Sequence, residues 1–182
     1  MKVTVCSQMS FSTILVMLIL SLSAFAQTTP TAAGLYYQSS GTNTRMELAT
    51  SSGFKTSGTA KAAFSYGIAK TKGKWLYRNP AASAQVGHRP VFTLVSVIGV
   101  STQSIGLIPF NVKKDHREAE YIEVGIWTGV KEENKDSIPL TVTRIPDTNT
   151  LTITPASDLP AGEYLLITDQ GKGYDGYDFA VK

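Results

Sequence analysis

The sequence predicts an all-β protein with little helix, built as a two-layer antiparallel β-sandwich of the immunoglobulin-like or jelly-roll-like kind. Three observations predict it. About nine or ten short strand-like segments are separated by turn signals roughly every 8–12 residues. The clearest of them alternate apolar and polar side chains with the period of two of a half-buried strand. The single cysteine, Cys6, excludes an internal disulfide, so a packed core must hold the domain together.

The N-terminal segment predicts an extracytoplasmic location. Lys2 is the one charged residue of positions 1–26, positions 11–22 are almost entirely apolar, and Ala24-Phe25-Ala26 has the small-x-small pattern cut by signal peptidase. The apolar run is shorter than the roughly 20 residues of a membrane span. We therefore expect 1–26 to be a cleaved signal peptide, 27–33 a short flexible tether and 34–182 a single domain. A retained N-terminal anchor is the alternative.

The first elements of the domain form a predicted hairpin followed by less regular segments. Residues 34–48 contain two strand-like pieces around a glycine turn, and the Ser/Gly/Thr-rich residues 51–58 predict a loop. In 59–72 aromatic and aliphatic residues alternate with small ones, which favours a strand over the helix that the alanines also permit. Lys72-Gly73-Lys74 predicts a turn before a short strand at 75–77.

The middle of the chain predicts buried strands and one charged turn. Residues 91–100 are apolar on both faces, which is typical of a strand in the middle of a sheet. Two further strands, 105–112 and 118–127, flank a run of charged residues at 113–117. The density of charge in that run predicts a solvated hairpin tip.

The last elements include the clearest hairpin of the sequence. Residues 138–145 and 150–154 alternate regularly around a Pro-Asp-Thr-Asn turn. Further strands are predicted at 163–168 and 177–182, with a glycine-rich loop at 169–176 between them. The predicted core comprises Phe92, Leu94, Ile122, Val124, Leu140, Val142, Leu151, Ile153, Leu165 and Phe179.

The charge balance argues against nucleic-acid binding. The chain has 17 Lys and Arg against 14 Asp and Glu, a net charge of +3. So small a surplus, without a basic stripe, does not make the field that a nucleic acid requires. The sequence also predicts no cofactor, because it contains no Gly-x-Ser-x-Gly, no zinc-binding pair of histidines and no phosphate loop.

Four small groups of residues are candidates for chemistry. Glu118 and Glu120 share a strand face at a spacing that permits two-carboxylate glycoside hydrolysis, although exposed pairing with nearby Lys and Arg is the simpler interpretation. Asp169, Asp175 and Asp178 border a glycine-rich loop that has the oxygen ligands for calcium but not the spacing of an EF-hand. An aromatic platform for sugars or proteins would comprise Trp75, Tyr77, Tyr121 and Trp127. A basic tip for anionic partners would comprise Lys113, Lys114 and Arg117.

Several segments, taken in order, resemble a family of uncharacterised secreted bacterial proteins with a C-terminal L-P-x-G-E-Y … Y-D-F-x-V pattern. The segments that carry the resemblance are Arg89-Pro90-Val91-Phe92, Lys113-Lys114-Asp115-His116-Arg117-Glu118, Asp136-Ser137-Ile138-Pro139, Leu159-Pro160-Ala161-Gly162-Glu163-Tyr164 and Tyr177-Asp178-Phe179-Ala180-Val181. The resemblance implies secretion and a β-sandwich. It implies no activity, cofactor or catalytic residue.

These observations predict a secreted or periplasmic, non-enzymatic module that binds a protein or a glycan or serves in envelope structure. The alternative is a secreted hydrolase that acts on glycans through Glu118 and Glu120. A third hypothesis is self-association through an exposed sheet edge, with the C-terminal strand as the candidate edge.

Overall fold

The computed structural model describes residues 30–39, 41–57, 71–79, 81–82, 84–124, 131–133, 137–169 and 174–182. The prediction of an all-β sandwich is confirmed. In chain order the strands are β1 Gly34–Ser39, β2 Thr42–Arg45, β3 Gly53–Ser57, β4 Thr71–Tyr77, β5 Ala84–Val86, β6 Phe92–Val95, β7 Ile105–Pro109, β8 Asn111–Val112, β9 Arg117–Val124, β10 Lys131–Glu133, β11 Leu140–Arg144, β12 Thr150–Pro155, β13 Gly162–Asp169 and β14 Tyr174–Val181. One turn of 3₁₀ helix, Thr102–Ser104, precedes β7.

The strands form three sheets. Outer sheet I has the order β11-β12-β6-β1-β2, and outer sheet II has the order β10-β9-β4-β3, with β8 also paired to β9. The central sheet has the order β5-β14-β13-β7. The strand pairs are antiparallel apart from β5 with β14, which run parallel. In the described ranges no helix has the length and apolar character that crossing a membrane would require.

The central sheet is buried on both faces, so the sandwich contains two sheet-on-sheet contacts that share it. Tyr164 and Leu166 of β13 pack in a cluster with sheet I, whereas the alternating Leu165 and Ile167 pack in a second cluster with sheet II. All four side chains are at most 3% exposed. Each fully buried aliphatic side chain contributes roughly 1.5–3 kcal/mol relative to exposure, so β13 stabilises both clusters.

The hairpin of β11 and β12 forms as predicted. Its register runs from Leu140 opposite Pro155 to Arg144 opposite Leu151. Leu151 and Ile153 are fully buried in the cluster with sheet I, and the half-buried Leu140 and Val142 pack against it.

Most of the predicted core is found inside. Phe92, Leu94, Leu165 and Phe179 are fully buried. The Phe92 and Phe179 rings, one from sheet I and one from the central sheet, lie 5.0 Å apart between centroids. The side chains of two further predicted core residues, Ile122 and Val124, lie outside the described part of the molecule, as does most of the predicted strand at 59–72.

Three predictions about individual elements are wrong. Residues 53–57 of the predicted loop form strand β3, because their backbone pairs with β4 from Gly53 opposite Leu76 to Ser57 opposite Lys72. Residues 72–74 lie inside β4, where the register with β9 shifts between Gly73 and Lys74 in a β-bulge. The strand predicted over 91–100 ends at Val95, after which the chain leaves the sheet.

The C-terminal strand does not form a sheet edge. β14 lies between β13 and β5, and its last residues pair with β5 from Phe179 opposite Ala84 to Val181 opposite Val86. The edge that the self-association hypothesis assigned to this strand is therefore covered.

Candidate functional site: a polar cleft above a buried arginine

Arg117 opens strand β9 and points into the protein. Its alternation partner on that strand face is Ala119, and the two side chains are 1% and 0% exposed. The prediction that Arg117 belongs to a solvated basic tip is therefore wrong. Only Lys113 and Lys114 of that set lie exposed, in the turn between β8 and β9, where the Lys113 amide donates to the His116 carbonyl at 2.8 Å.

Two carboxylates and a carbonyl hold the Arg117 guanidinium. Nε donates to the Asn79 carbonyl at 2.6 Å, one terminal nitrogen donates to Glu163 Oε2 at 3.1 Å, and the other donates to Asp178 Oδ2 at 2.5 Å. The guanidinium carbon also lies 4.5 Å from the centre of the Phe110 ring. Arg117 can make all of these contacts at once because its donors have a planar, forked geometry.

The Arg117 cluster joins outer sheet II to the central sheet. Glu163 is the second residue of β13 and Asp178 lies on the neighbouring β14, so both carboxylates come from one hairpin of the central sheet. Their side chains are 17% and 13% exposed, which leaves this edge of the cluster in contact with solvent. Glu163 Oε2 also accepts the Ala82 amide at 2.8 Å. A buried charge is tolerated only when paired in this way.

Tyr77 lies beside this cluster at the end of β4. Burial raises the pKa of its phenol to about 12, with the Asp178 carboxylate acting in the same direction and Arg117 opposing it. Its ring meets Phe110 edge-on, with centroids 5.1 Å apart and planes at 76°. Tyr77 is 3% exposed. Its phenol therefore stays protonated at physiological pH, and its ring is not a platform for stacking.

A cleft of about 360 Å³ opens above the Arg117 cluster. One wall is the segment after β2. Two backbone hydrogen bonds hold it: the Ala49 amide donates to the Gly176 carbonyl at 2.8 Å, and the Ser52 amide donates to the Leu76 carbonyl at 2.7 Å. The other wall is the end of β4. The cleft is lined by Glu47, Leu48, Ala49, Thr50, Ser51, Ser52, Tyr77, Arg78, Asn79, Arg117 and Asp178.

The cleft lining is mixed: polar groups of both charge signs lie beside apolar surface. Arg78, Asn79 and Glu47 are exposed at its rim, and the Arg117–Asp178 pair lies in its floor. The Ser51 and Ser52 hydroxyls donate to backbone carbonyls, so they stiffen the wall. The cleft volume falls within the usual range of small-ligand sites, roughly 300–1,000 Å³.

Glu118 and Glu120 lie on the opposite face of β9 from Arg117. Lys74 Nζ lies 3.2 Å from Glu118 Oε2 and 3.7 Å from Glu120 Oε2. Burial acts to raise the pKa of Glu118, but hydrogen bonds from Lys74 and His116 together bring it below its usual value. A glycosidase needs one carboxyl group with a raised pKa to act as general acid. This arrangement is a partly buried ion-pair network, in which the side chains of Lys74, Glu118 and Glu120 are 21%, 11% and 25% exposed.

Asp175 and Asp178, two of the three residues proposed for calcium, do not converge. Asp178 faces sheet II and is held by Arg117, whereas Asp175, three positions away on the same strand, points to the opposite face. The Asp169 side chain lies outside the described part. Across the described ranges, no group of three or more His, Cys, Asp or Glu side chains is placed to hold a metal ion.

The predicted aromatic platform is only partly visible. Trp75 is half-buried and packs against the cluster between sheet II and the central sheet, together with the buried Tyr77. The Tyr121 side chain and Trp127 lie outside the described residues. The sequence offered one signal for this site, which was charge within apolar strands: Glu163 precedes the run Tyr164-Leu165-Leu166-Ile167, and Asp178 lies between Tyr177 and Phe179.

Comparison with models of protein families finds no match to this chain. A search of curated proteins finds no similar sequence either.

Proposed function

We propose that the protein is an extracytoplasmic, non-enzymatic module of the bacterial envelope that binds a glycan in the cleft above Arg117. The observation that carries the proposal is the cleft itself, a concave surface of ligand size that combines polar groups with apolar surface and lies beside the buried Arg117 ion pairs. The extracytoplasmic location rests on the leader pattern of residues 1–26.

The donor and acceptor balance of the cleft suits a polyhydroxylated ligand. Sugar hydroxyls both donate and accept hydrogen bonds, so they can accept from Arg78 and Asn79 and donate to the carboxylates of Glu47 and Asp178. Leu48 is 57% exposed at the rim and offers an apolar surface to the ring carbons of a sugar. A purely apolar ligand would leave these polar groups unpaired.

The Arg117 cluster supports binding through preorganisation. Its carboxylates are oriented by the guanidinium before any ligand arrives, so little side-chain freedom is lost on binding. Arg117 is a positioning residue in this proposal, and the exposed Arg78 makes the direct contact.

The test is isothermal titration calorimetry of the protein purified from its native source. The ligands are chito-, cello- and galacturono-oligosaccharides. We expect one of these series to bind, and Arg78→Ala to weaken its affinity about tenfold or more, the usual cost of a lost charged hydrogen bond. Arg89→Ala removes another exposed arginine that does not line the cleft and is expected to bind as wild type. Absence of binding in all three series, or equal affinity in Arg78→Ala, would overturn the proposal.

A glycan hydrolase centred on Glu118 and Glu120 remains the alternative. The same titrations test it if released reducing ends are assayed in parallel. Reducing ends released by the wild type but not by Glu118→Gln would replace the binding proposal with the enzymatic one.

A further inference from the structure

A shallow groove lies on the outer face of sheet I. Thr93 and Thr152 line it and point away from the core, because each lies between two fully buried residues of its strand. The groove has a volume of about 170 Å³, which is below the roughly 300 Å³ at which small-ligand sites begin. We call it the sheet I groove, and its lining comprises Pro30, Gln38, Asn43, Val91, Thr93, Ile145 and Thr152.

The chain approaches the sheet I groove across the face of the sheet. Tyr36 of β1 points outward, since its two neighbours in the strand pack in the core, yet it is only 8% exposed. Its hydroxyl donates to the Ala32 carbonyl at 3.0 Å, and Arg45 of β2 donates to the Ala33 carbonyl at 3.0 Å. Two side chains of sheet I therefore hold the backbone just before β1 over this face, and Pro30 lines the groove itself.

The residues that precede Pro30 cannot travel far from the sheet I groove. Gln27, Thr28 and Thr29 separate Pro30 from the predicted cleavage site after Ala26. An extended chain advances at most about 3.6 Å per residue, so three residues span about 11 Å at most. So short a connection gives the segment an effective concentration at the groove of roughly millimolar or above. The segment therefore has a large advantage over a free ligand for this groove.

The chemistry of the groove suits the same segment. None of the described side chains that line it is charged, so it offers no ionic partner to a charged ligand. The carboxamide of Gln38 and the hydroxyls of Thr93 and Thr152 each donate and accept hydrogen bonds. Residues 27–29 carry one carboxamide and two hydroxyls beside their backbone groups. The two sets are complementary in hydrogen bonding and both are uncharged in their side chains.

We propose that the sheet I groove is the docking site of residues 27–29, so that the N-terminus left by cleavage after Ala26 is bound to the outer face of sheet I. The cleft above Arg117 is lined by other residues, so the docked segment leaves it open. Only the position of the N-terminus rests on the proposed leader cleavage. Docking of the segment requires neither glycan binding nor a particular location of the protein.

The test is NMR relaxation of the Thr28 and Thr29 backbone amides in the isotopically labelled protein, produced with its own leader. A docked segment should have order parameters of about 0.85, the value of a rigid backbone. We expect Thr152→Arg to lower both below about 0.6, because the longer side chain fills the groove and displaces the segment. The same two amides are measured whether or not residues 1–26 are removed, so the result does not depend on the proposed function.

Two further variants complete the test. Thr141→Arg is the matched control, because Thr141 is an exposed threonine on the same face of sheet I that does not line the groove. It should leave the order parameters of residues 28 and 29 unchanged. Gln38→Ala removes the carboxamide from the groove without adding bulk, and it should lower these order parameters even if Thr152→Arg impairs folding.

Two results would overturn the docking proposal. One is a pair of order parameters below about 0.6 at residues 28 and 29 of the wild type, because the segment is then not bound. The other is equal order parameters in the wild type and in the folded groove variants, because the groove is then not the site that holds the segment.

Discussion

Arg117 is a residue whose replacement is expected to be costly. Arg117→Met leaves the Glu163 and Asp178 carboxylates beside an apolar group, and removing one partner of a buried ion pair typically costs roughly 3–5 kcal/mol. Both carboxylates retain some solvent contact, so we expect a loss of about 3 kcal/mol. Urea unfolding of the variant measures it, with Lys114→Met as the exposed control expected within about 0.5 kcal/mol of wild type.

A double-mutant cycle separates the ion pair from general packing. Arg117→Met should cost less in an Asp178→Asn background, because the unpaired charge is then absent. Equal losses in the two backgrounds would show that the Arg117–Asp178 contact contributes nothing to stability.

The raised pKa of Tyr77 predicts that the free energy of unfolding falls at alkaline pH. Its folded pKa of about 12 exceeds the unfolded value of 10.0. The contribution is therefore complete below pH 10 and is lost as the pH rises through about 12, because the unfolded chain releases the proton first. The total contribution of Tyr77 to the free energy of unfolding is about 2–3 kcal/mol, because each pKa unit corresponds to about 1.36 kcal/mol. In urea unfolding, the Tyr77→Phe variant should lose less stability than wild type between pH 9 and about pH 11.5. If the free energies of unfolding of the two proteins fall in parallel with pH, Tyr77 is not the group responsible.

The candidate site shows why Arg117 was misplaced by sequence reasoning. Four of the five residues at 113–117 are basic or histidine, so the run resembles a solvated turn. Burial of its last member depends on carboxylates 46 and 61 positions away. That separation has no local signature, and neither does the segment 46–52 that forms a wall of the cleft.

At the scale of elements, apolar alternation predicted the strands that bury one face. The hairpin of β11 and β12 follows it directly. Strand β3 does not, because its residues 53–56 are exposed and only backbone pairing to β4 makes it a strand. Val97 and Ile98 misled in the opposite direction, since they extend an apolar run while their backbone leaves the sheet after Val95.

The start of β1 depends on glycine. Gly34 has a φ of 149°, which side chains rarely adopt, and a Cβ there would meet Arg45 Nε at 2.9 Å. Gly34→Ala should therefore destabilise the protein by about 1–3 kcal/mol. Gly106→Ala is the matched control, because that strand glycine has open space around it and no positive φ. Thermal unfolding gives the melting temperature of each variant. Equal melting temperatures would contradict the claim that a side chain at position 34 strains the backbone.

The hairpin turn between β11 and β12 contains a second positive φ, 57° at Asp147. Aspartate tolerates the left-handed region better than a β-branched residue. We expect Asp147→Val to lower the free energy of unfolding by about 1–2 kcal/mol and Asp147→Gly to leave it unchanged or slightly raised. If chemical denaturation shows the same loss for both variants, the cause is a lost aspartate contact and not backbone strain.

At the scale of the whole molecule, the central sheet links the two cores. Leu165 and Leu166 are neighbours in sequence, yet they belong to different hydrophobic clusters. The sequence predicted the sandwich from its short alternating strands, but it did not predict that one sheet would serve both contacts. The reason is that β13 and β14 are apolar on both faces only in short stretches, interrupted by the charged partners of Arg117.

Hydrogen exchange of the backbone amides tests the shared central sheet most directly. The amides of residues 164–168 in β13 should exchange only through global unfolding and be the slowest of the molecule, while those of the edge strand β11 exchange faster through local opening. If the β13 amides exchange as fast as those of β11, the central sheet is not a shared inner layer, and the two-sided core described for this protein is wrong.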